Sequence, residues 1–268
     1  MPELPEVETV ARTLREGRNP LLGRTIQQVD VLWRREVQGI PHEQFTSRLI
    51  NATVQAIGRH GKYLMIQLST QDTLFVHLRM SGRLDVVPQG ESLTKHARVV
   101  WMLDKDLALR FEDARKFGRV WLTQDPQDVL GGIGPDALLI SEDEFVARLL
   151  KKKGAIKPIL LDQHFVAGVG NIYADESLHR AGLHPKHPVS ILTQPQARRL
   201  YQTVQHVLAE GIRANGASFD WVYPDGNFQE NFKVYGQTDK PCTNCGTPIQ
   251  RILVGQRSTH FCPQCQPA

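Results

Sequence analysis

Several residue sets in this chain have types and spacings that could do chemistry, and one of them opens it. Position 2 is proline, next to Glu3, behind a methionine of the kind removed ahead of so small a residue. Removal would leave Pro2 as a free secondary amine. An α-amino group titrates near about 7.7–8, well below lysine, so at neutral pH about a tenth or more of it is unprotonated. A helix starting here would disfavour the ammonium further. Such an amine can attack an electrophilic carbon and form an iminium, which is covalent catalysis. Proline also simply starts helices. Glu3 and Glu6, one turn apart, could supply a proton donor and an orienting carboxylate, although acidic residues suit any first helical turn.

The second set is Cys242-Thr-Asn-Cys245 and Cys262-Pro-Gln-Cys265, separated by the 16 residues 246–261. Residues 1–241 contain no cysteine. In a reducing compartment this clustering argues for metal rather than disulfides. Two such pairs can give four thiolates to one tetrahedral zinc, and four protein ligands leave no open position, so the ion should be structural.

Gly168-Val169-Gly170-Asn171, between two helical stretches, offers consecutive backbone N–H groups and the positive end of a helix, which suits one phosphate. A tight turn with Asn171 as N-cap would use the same side chain, and both readings stay open. In the 77–82 and 113–118 segments, strand ends meet glycine-containing turns. Met80 and Phe117 could be core residues, or they could join Arg115 as a wedge entering a duplex where a nucleotide has been extruded. Lys62, in Arg59-His60-Gly61-Lys62-Tyr63, is either a solvated lysine or part of the same chemistry.

These residues need elements to position them. Apolar Leu4, Val7, Val10, Ala11 and Leu14 predict an amphipathic helix over residues 2–17. Strand-like runs follow at 25–33, 53–69, 73–80, 83–87, 97–103, 107–112 and 119–122, predicting an antiparallel sandwich or barrel. Residues 124–136, rich in Asp, Gly and Pro, read as a linker. Beyond it, Ser141 and Glu144 have the capping-box form ahead of a helix. Two helices flank the 168–171 turn, and a long one runs from about 195 to 214. Residues 216–232 read as a long irregular loop of the kind that is often functional. In the cysteine region, 249–254 and 258–261 bracket Gly255-Gln256 as a β-hairpin with Arg257 just beyond its tip.

The chain has 268 residues, enough for two domains, with 41% hydrophobic and 22% charged residues, which argues against disordered or fibrous classes. Net charge is only +4, but residues 240–268 carry Lys240, Arg251 and Arg257 and no carboxylate, a pointer to a polyanion. No run reaches the roughly 18 apolar residues of a membrane span, and the acidic start does not resemble a signal peptide. A cytoplasmic protein is expected.

Taken together, these features closely resemble the bacterial formamidopyrimidine-DNA glycosylases, base-excision enzymes for oxidised purines. The resemblance rests on Pro2-Glu3-Leu4-Pro5-Glu6-Val7-Glu8-Thr9, Gly61-Lys62-Tyr63-Leu64, the segment from His77 to Gly82, Arg115 to Gly118, VGNIYADE from Val169 to Glu176, and the paired cysteines. It spans nearly the whole chain. It implies an α+β multidomain fold: an N-terminal antiparallel β-sandwich with flanking helices over 1–131, a helix–two-turn–helix domain over 132–237 and a β-hairpin zinc finger over 238–268. Damaged double-stranded DNA would lie in the cleft between domains, and the protein would be a monomer associated with the nucleoid.

Carried over by motif, Pro2 would attack C1′ of the damaged nucleotide and Glu3 would help open the sugar. Lys62 would assist β-elimination and Arg257 δ-elimination. Met80, Arg115 and Phe117 would fill the gap left by the flipped base. Asn171, His77, His96, Lys152 and Tyr235 would contact backbone phosphate, and Cys242, Cys245, Cys262 and Cys265 would hold one zinc ion. The endonuclease VIII branch, which acts on oxidised pyrimidines, usually has glycine where this chain has Leu4. Ala217-Ser218-Phe219-Asp220-Trp221 departs from the Gly-Thr-Thr-rich form common in the family, which leaves lesion preference open. A DNA-binding homologue without the reaction is the remaining alternative, and a retained Met1 would produce it by turning the Pro2 nitrogen into an amide.

Overall fold

The structure is a computed structural model that describes residues 1–218 and 226–268, in two compact units. The 219–225 part of the predicted 216–232 loop, with Phe219, Asp220 and Trp221, lies outside the described residues. The N-terminal unit holds residues 1–2 and 6–132, and the C-terminal unit holds residues 3–5, 133–218 and 226–268.

Helix α1 (Leu4–Glu16) buries Val7, Ala11 and Leu14 along the predicted stripe. The N-terminal unit is otherwise a sandwich. Its strands are β1 (Ile26–Val31), β2 (Val37–Gln38), β3 (Val54–His60), β4 (Tyr63–Leu68), β5 (Thr73–His77), β6 (Gly82–Pro88), β7 (Ala97–Leu103), β8 (Leu107–Asp113) and β9 (Arg119–Thr123). One sheet has the order β1-β7-β8-β6 and the other β2-β9-β5-β4-β3. All pairings are antiparallel except the two-residue β2 against β9.

The predicted 53–69 strand is two strands, because Gly61 at φ 54° turns the chain back and pairs His60 with Tyr63. Strand β5 stops at His77 rather than running to Met80. Along β8 the predicted alternation is incomplete. Ala108 is buried in a small cluster with Ala97 and Val100, and Arg110 is buried with its guanidinium on the Glu91 and Ser92 carbonyls. Helices α2 (His42–Leu49) and α3 (Gln127–Leu130) were not predicted. The first buries only Phe45 and Leu49 and the second buries nothing, so neither has a readable apolar stripe.

The C-terminal unit packs α4 (Glu142–Leu150), α5 (Ile156–Leu161), α6 (Asn171–Ala181) and α7 (Gln194–Arg213) around one core that includes Phe145, Phe165, Tyr173, Leu178, Leu200 and Val207. Ser141 caps α4 by accepting from the Glu144 N–H. Helix α7 starts one residue before the predicted 195, where Thr193 and Gln196 close a reciprocal capping box. Strands β10 (Gln250–Val254) and β11 (Arg257–Phe261) form the hairpin, and Arg257 is the first residue of β11, paired with Val254. The predicted irregular loop includes one 3-10 turn, Phe228–Asn231. Residues 238–268 cluster with the helical unit rather than as a third body.

Candidate active site

The turn between α5 and α6 is built around the chain's own N-terminus. Leu4 N–H donates to the Gly168 carbonyl at 3.1 Å, and the first free N–H groups of α6, from Ile172 and Tyr173, donate to the Glu3 carboxylate at 3.0 and 3.4 Å. Glu3 is buried. A carboxylate at a helix N-terminus meets both the unsatisfied donors and the positive end of the dipole. Gly170 is required for this geometry, since a Cβ there would lie 2.3 Å from the Glu3 Cδ. Glu3 thus takes the first free donors of α6, while the Gly168 N–H in the turn itself donates to the Gln163 side chain at 2.9 Å. The N-cap is Gly170, and Asn171 is the first helical residue, with its Nδ2 on the Ser258 carbonyl at 3.0 Å. Peptide linkage to Glu3 sets Pro2, which is buried, beside this carboxylate.

One face of α6 carries a polar network that sequence reasoning missed. Asp175 and Lys157 are fully buried, with Nζ 2.7 Å from Oδ1. Lys157 also donates to Thr259 Oγ1 at 2.7 Å and to the Ser258 carbonyl at 3.0 Å, and Asp175 accepts from the His260 N–H at 2.9 Å. Burial pushes the Lys157 ammonium down in pKa, and Asp175 opposes that. Glu176 accepts from the N–H groups of Lys233, Val234 and Tyr235. These contacts bind β11 and the 233–235 segment to α6, and they explain why the hairpin is not a separate body. Two adjacent acidic residues in the middle of a predicted helix, Asp175-Glu176, were the available signal. Arg257 itself is exposed at the hairpin. Tyr235 is half-buried, and burial pushes its phenol up in pKa against a hydrogen bond with Asn171.

In the N-terminal unit, Lys62 sits in the Gly61 turn and is 6% exposed, which removes the solvated-lysine reading. His77 is buried at the end of β5, edge-on to the Tyr63 ring at 4.7 Å, and its Nδ1 accepts from the Arg79 N–H at 3.0 Å. Burial first, then Arg79 and Lys62, push its pKa down to about 3. His77 also shapes the following turn, at the same low exposure as Lys62 (6% each). Met80 (43% exposed) and Phe117 (47%) are surface residues, which removes their core reading, and the Arg115 guanidinium lies 5.1 Å over the Phe117 ring. His96 is half-buried, while Lys152, also half-buried, is paired with Asp162 at 3.2 Å.

The four cysteine sulfurs all lie within 4.8 Å of one another, with Cys242–Cys265 at 3.9 Å and Cys245–Cys262 at 3.5 Å. Tetrahedral zinc at about 2.3 Å from each sulfur requires separations of roughly 3.8 Å. The donor set thus fits one zinc ion. Each pair folds as a knuckle in which the Asn244 and Cys265 N–H groups point at the Cys242 and Cys262 sulfurs, both at 3.4 Å.

Comparison with known proteins agrees along the whole chain. Residues 1–120 match the formamidopyrimidine-DNA glycosylase N-terminal domain, 132–221 the H2TH domain of the same enzymes, and 239–268 the zinc finger found in FPG and IleRS. A formamidopyrimidine-DNA glycosylase of Heliobacterium modesticaldum is 44% identical over 279 residues, covering 99% of this chain and all of the relative. One from Pelotomaculum thermopropionicum is 41% identical over 276 residues, covering 99% of each. Among solved structures, a Lactococcus lactis Fpg bound to abasic-site DNA superposes with a TM-score of 0.91 at 36% identity, over 99% of this chain and 100% of that one. A complex of the same enzyme with DNA containing N7-benzyl-Fapy-dG has a TM-score of 0.92, also at 36% identity, over all of both chains.

Proposed function

This chain belongs to the formamidopyrimidine-DNA glycosylase family, and from that premise we propose that it excises oxidised purines from DNA through an imine on Pro2 and then cuts the strand by β,δ-elimination. It is a DNA glycosylase and AP lyase of base-excision repair that acts on damaged DNA and carries a structural zinc finger. The observation that carries the catalytic reading is the capture of Glu3 by Ile172 and Tyr173, which holds the Pro2–Glu3 pair in one place.

The Pro2 lone pair attacks C1′, and the C1′–N9 bond breaks as the base leaves and takes a proton from water. Glu3 takes the proton that the Pro2 nitrogen loses and hands it to O4′ as the sugar ring opens and C1′ becomes an iminium. The iminium withdraws electrons from C2′, so a C2′ proton is lost and the 3′ phosphate is expelled. A second elimination expels the 5′ phosphate, and water releases Pro2. Lys62 assists the first elimination and Arg257 the second. Met80, Arg115 and Phe117 occupy the space left by the extruded nucleotide, while Asn171, Tyr235, His77, His96 and Lys152 hold the backbone. A DNA substrate places the enzyme in the cytoplasm with the nucleoid. Zinc, when bound, ties the two cysteine knuckles and so sets the hairpin that presents Arg257.

The test is excision from duplexes carrying 8-oxoguanine or an oxidised pyrimidine, run side by side. Faster release of 8-oxoguanine is expected. Preference for the pyrimidine would move the chain to the endonuclease VIII type, and no release of either base would leave a binding protein.

A further inference from the structure

Two turns carry the residues assigned to the wedge, and both cross from one sheet of the sandwich to the other. Residues 78–81 join β5 to β6, and 114–118 join β8 to β9. The turns run side by side, because Gly82 pairs with Asp113 in one sheet and His77 with Arg119 in the other. Between them lies Asp113, which is fully buried. Its Oδ1 accepts a short hydrogen bond from the Ser81 hydroxyl and another from the Arg115 N–H at 3.1 Å, and its Oδ2 accepts from the Gly118 N–H at 2.7 Å. Ser81 Oγ accepts from the same Arg115 N–H at 3.1 Å. The Asp113 N–H donates to the His96 carbonyl at 2.9 Å, and the Arg98 Nε donates to the Asp113 carbonyl at 2.8 Å.

Resting on the wedge assignment above, we propose that Asp113 is a positioning residue that couples the Met80 turn to the Arg115–Phe117 turn, so that the three side chains enter the duplex as one preformed unit. A carboxylate is the group the site requires: three donors converge on it, and it has no hydrogen of its own to clash with them. Each turn contains a non-glycine residue in the left-handed region, Arg79 at φ 55° and Lys116 at φ 59°. That backbone is strained and persists only where the surroundings over-determine it. The Asp113 bonds, with the His77 acceptor for Arg79, supply that constraint. Gly118 admits its own N–H to the carboxylate, since a Cβ there would lie 2.4 Å from the Phe111 ring. Extruding a base costs unstacking energy. A wedge that needs no ordering on entry leaves more of its contact energy to offset that cost.

The experiment compares two substrates on the full-length, zinc-loaded protein. One is a duplex with 8-oxoguanine, which requires extrusion and gap filling. The other is a single-stranded oligonucleotide with a preformed abasic site, which requires neither. The near-isosteric Asp113→Asn should lower the duplex rate by ~10-fold or more while cleavage of the single strand stays within ~2-fold, because misplacing a positioned group is felt only where that group is used. Ser81→Ala, which removes one of the three donors and introduces no buried charge, should move the same ratio by roughly 3-fold, and it carries the comparison should Asp113→Asn fail to fold. An equal loss on both substrates, or no loss on either, overturns the proposal. Absence of 8-oxoguanine release by the unmodified protein would instead overturn the enzymatic reading on which it rests.

Discussion

Replacing Lys157 by methionine should loosen the zinc-finger hairpin from helix α6, and the structure allows the size of the effect to be worked out. At 2.7 Å, and at the effective dielectric of about 20 that suits protein sites, the Lys157–Asp175 attraction is ~6 kcal/mol before desolvation is charged against it. Burying two ions costs several kcal/mol each, so the intact pair contributes little net stability. Its removal is another matter. Methionine fills the space but leaves the Asp175 carboxylate fully buried, with the His260 N–H at 2.9 Å and the His260 ring at 3.4 Å still against it. The Lys157 bonds to Thr259 and Ser258 are lost as well. Breaking a buried pair in this way costs ~3–5 kcal/mol. Because about 1.4 kcal/mol is tenfold in an equilibrium constant, amide exchange at Thr259 and His260 should accelerate by roughly 100-fold or more. Lys157→Met with Asp175→Leu, an apolar pair, should recover most of this. Hydrogen–deuterium exchange followed by mass spectrometry reads both variants. Exchange within ~3-fold of the parent in Lys157→Met would refute the reasoning, since a buried unpaired carboxylate cannot be nearly free of cost.

Other expectations test separate parts of the account. Gly170→Ala should keep the fold but displace Glu3, lowering 8-oxoguanine excision by ~100-fold in single-turnover kinetics. Cys245→Ser should release zinc, read by metal analysis, and abolish DNA binding, while the near-ultraviolet signal of buried Trp101 shows the N-terminal unit still folded. Glu36 is fully buried, with neither carboxylate oxygen hydrogen-bonded among the described residues, and burial first, then Asp113, raise its pKa to about 7 against partial opposition from Arg119. The folded chain therefore keeps a proton that the unfolded chain releases near its ordinary value of 4.5. Stability is lost as pH rises from about 4.5 to about 7, in total ~3 kcal/mol. Glu36→Gln should be more stable than the parent at pH 8 and lose that advantage near pH 5 in urea unfolding, whereas a pH-independent difference would contradict the assignment.

What could be read from the sequence follows from how local each signal is. The α1 stripe, the β10–β11 hairpin, the Ser141 cap and the cysteine pairs depend on spacings within a few residues, and all four stand in the structure. Helix α2 escaped because two buried residues do not make a period. The Gly168–Asn171 turn was located, but its partner was not: the anion at α6 comes from Glu3, 169 residues away in the chain, and no local pattern reports that. For the same reason Asp113 and the Lys157–Asp175 pair were invisible. Each is an ordinary charged residue until folding buries it among donors or opposite a counter-ion.

The central claim is that the Pro2 nitrogen is the nucleophile, and the most direct measurement is borohydride reduction during reaction with an 8-oxoguanine duplex, followed by digestion and mass mapping of the trapped complex. With Met1 removed, a reduced deoxyribose adduct should be found on the N-terminal peptide at Pro2, and Pro2→Thr, which replaces the secondary amine by a less nucleophilic primary one, should lower its yield. An adduct mapped to Lys62 or Lys157, or release of base without any trapped complex, would contradict the account.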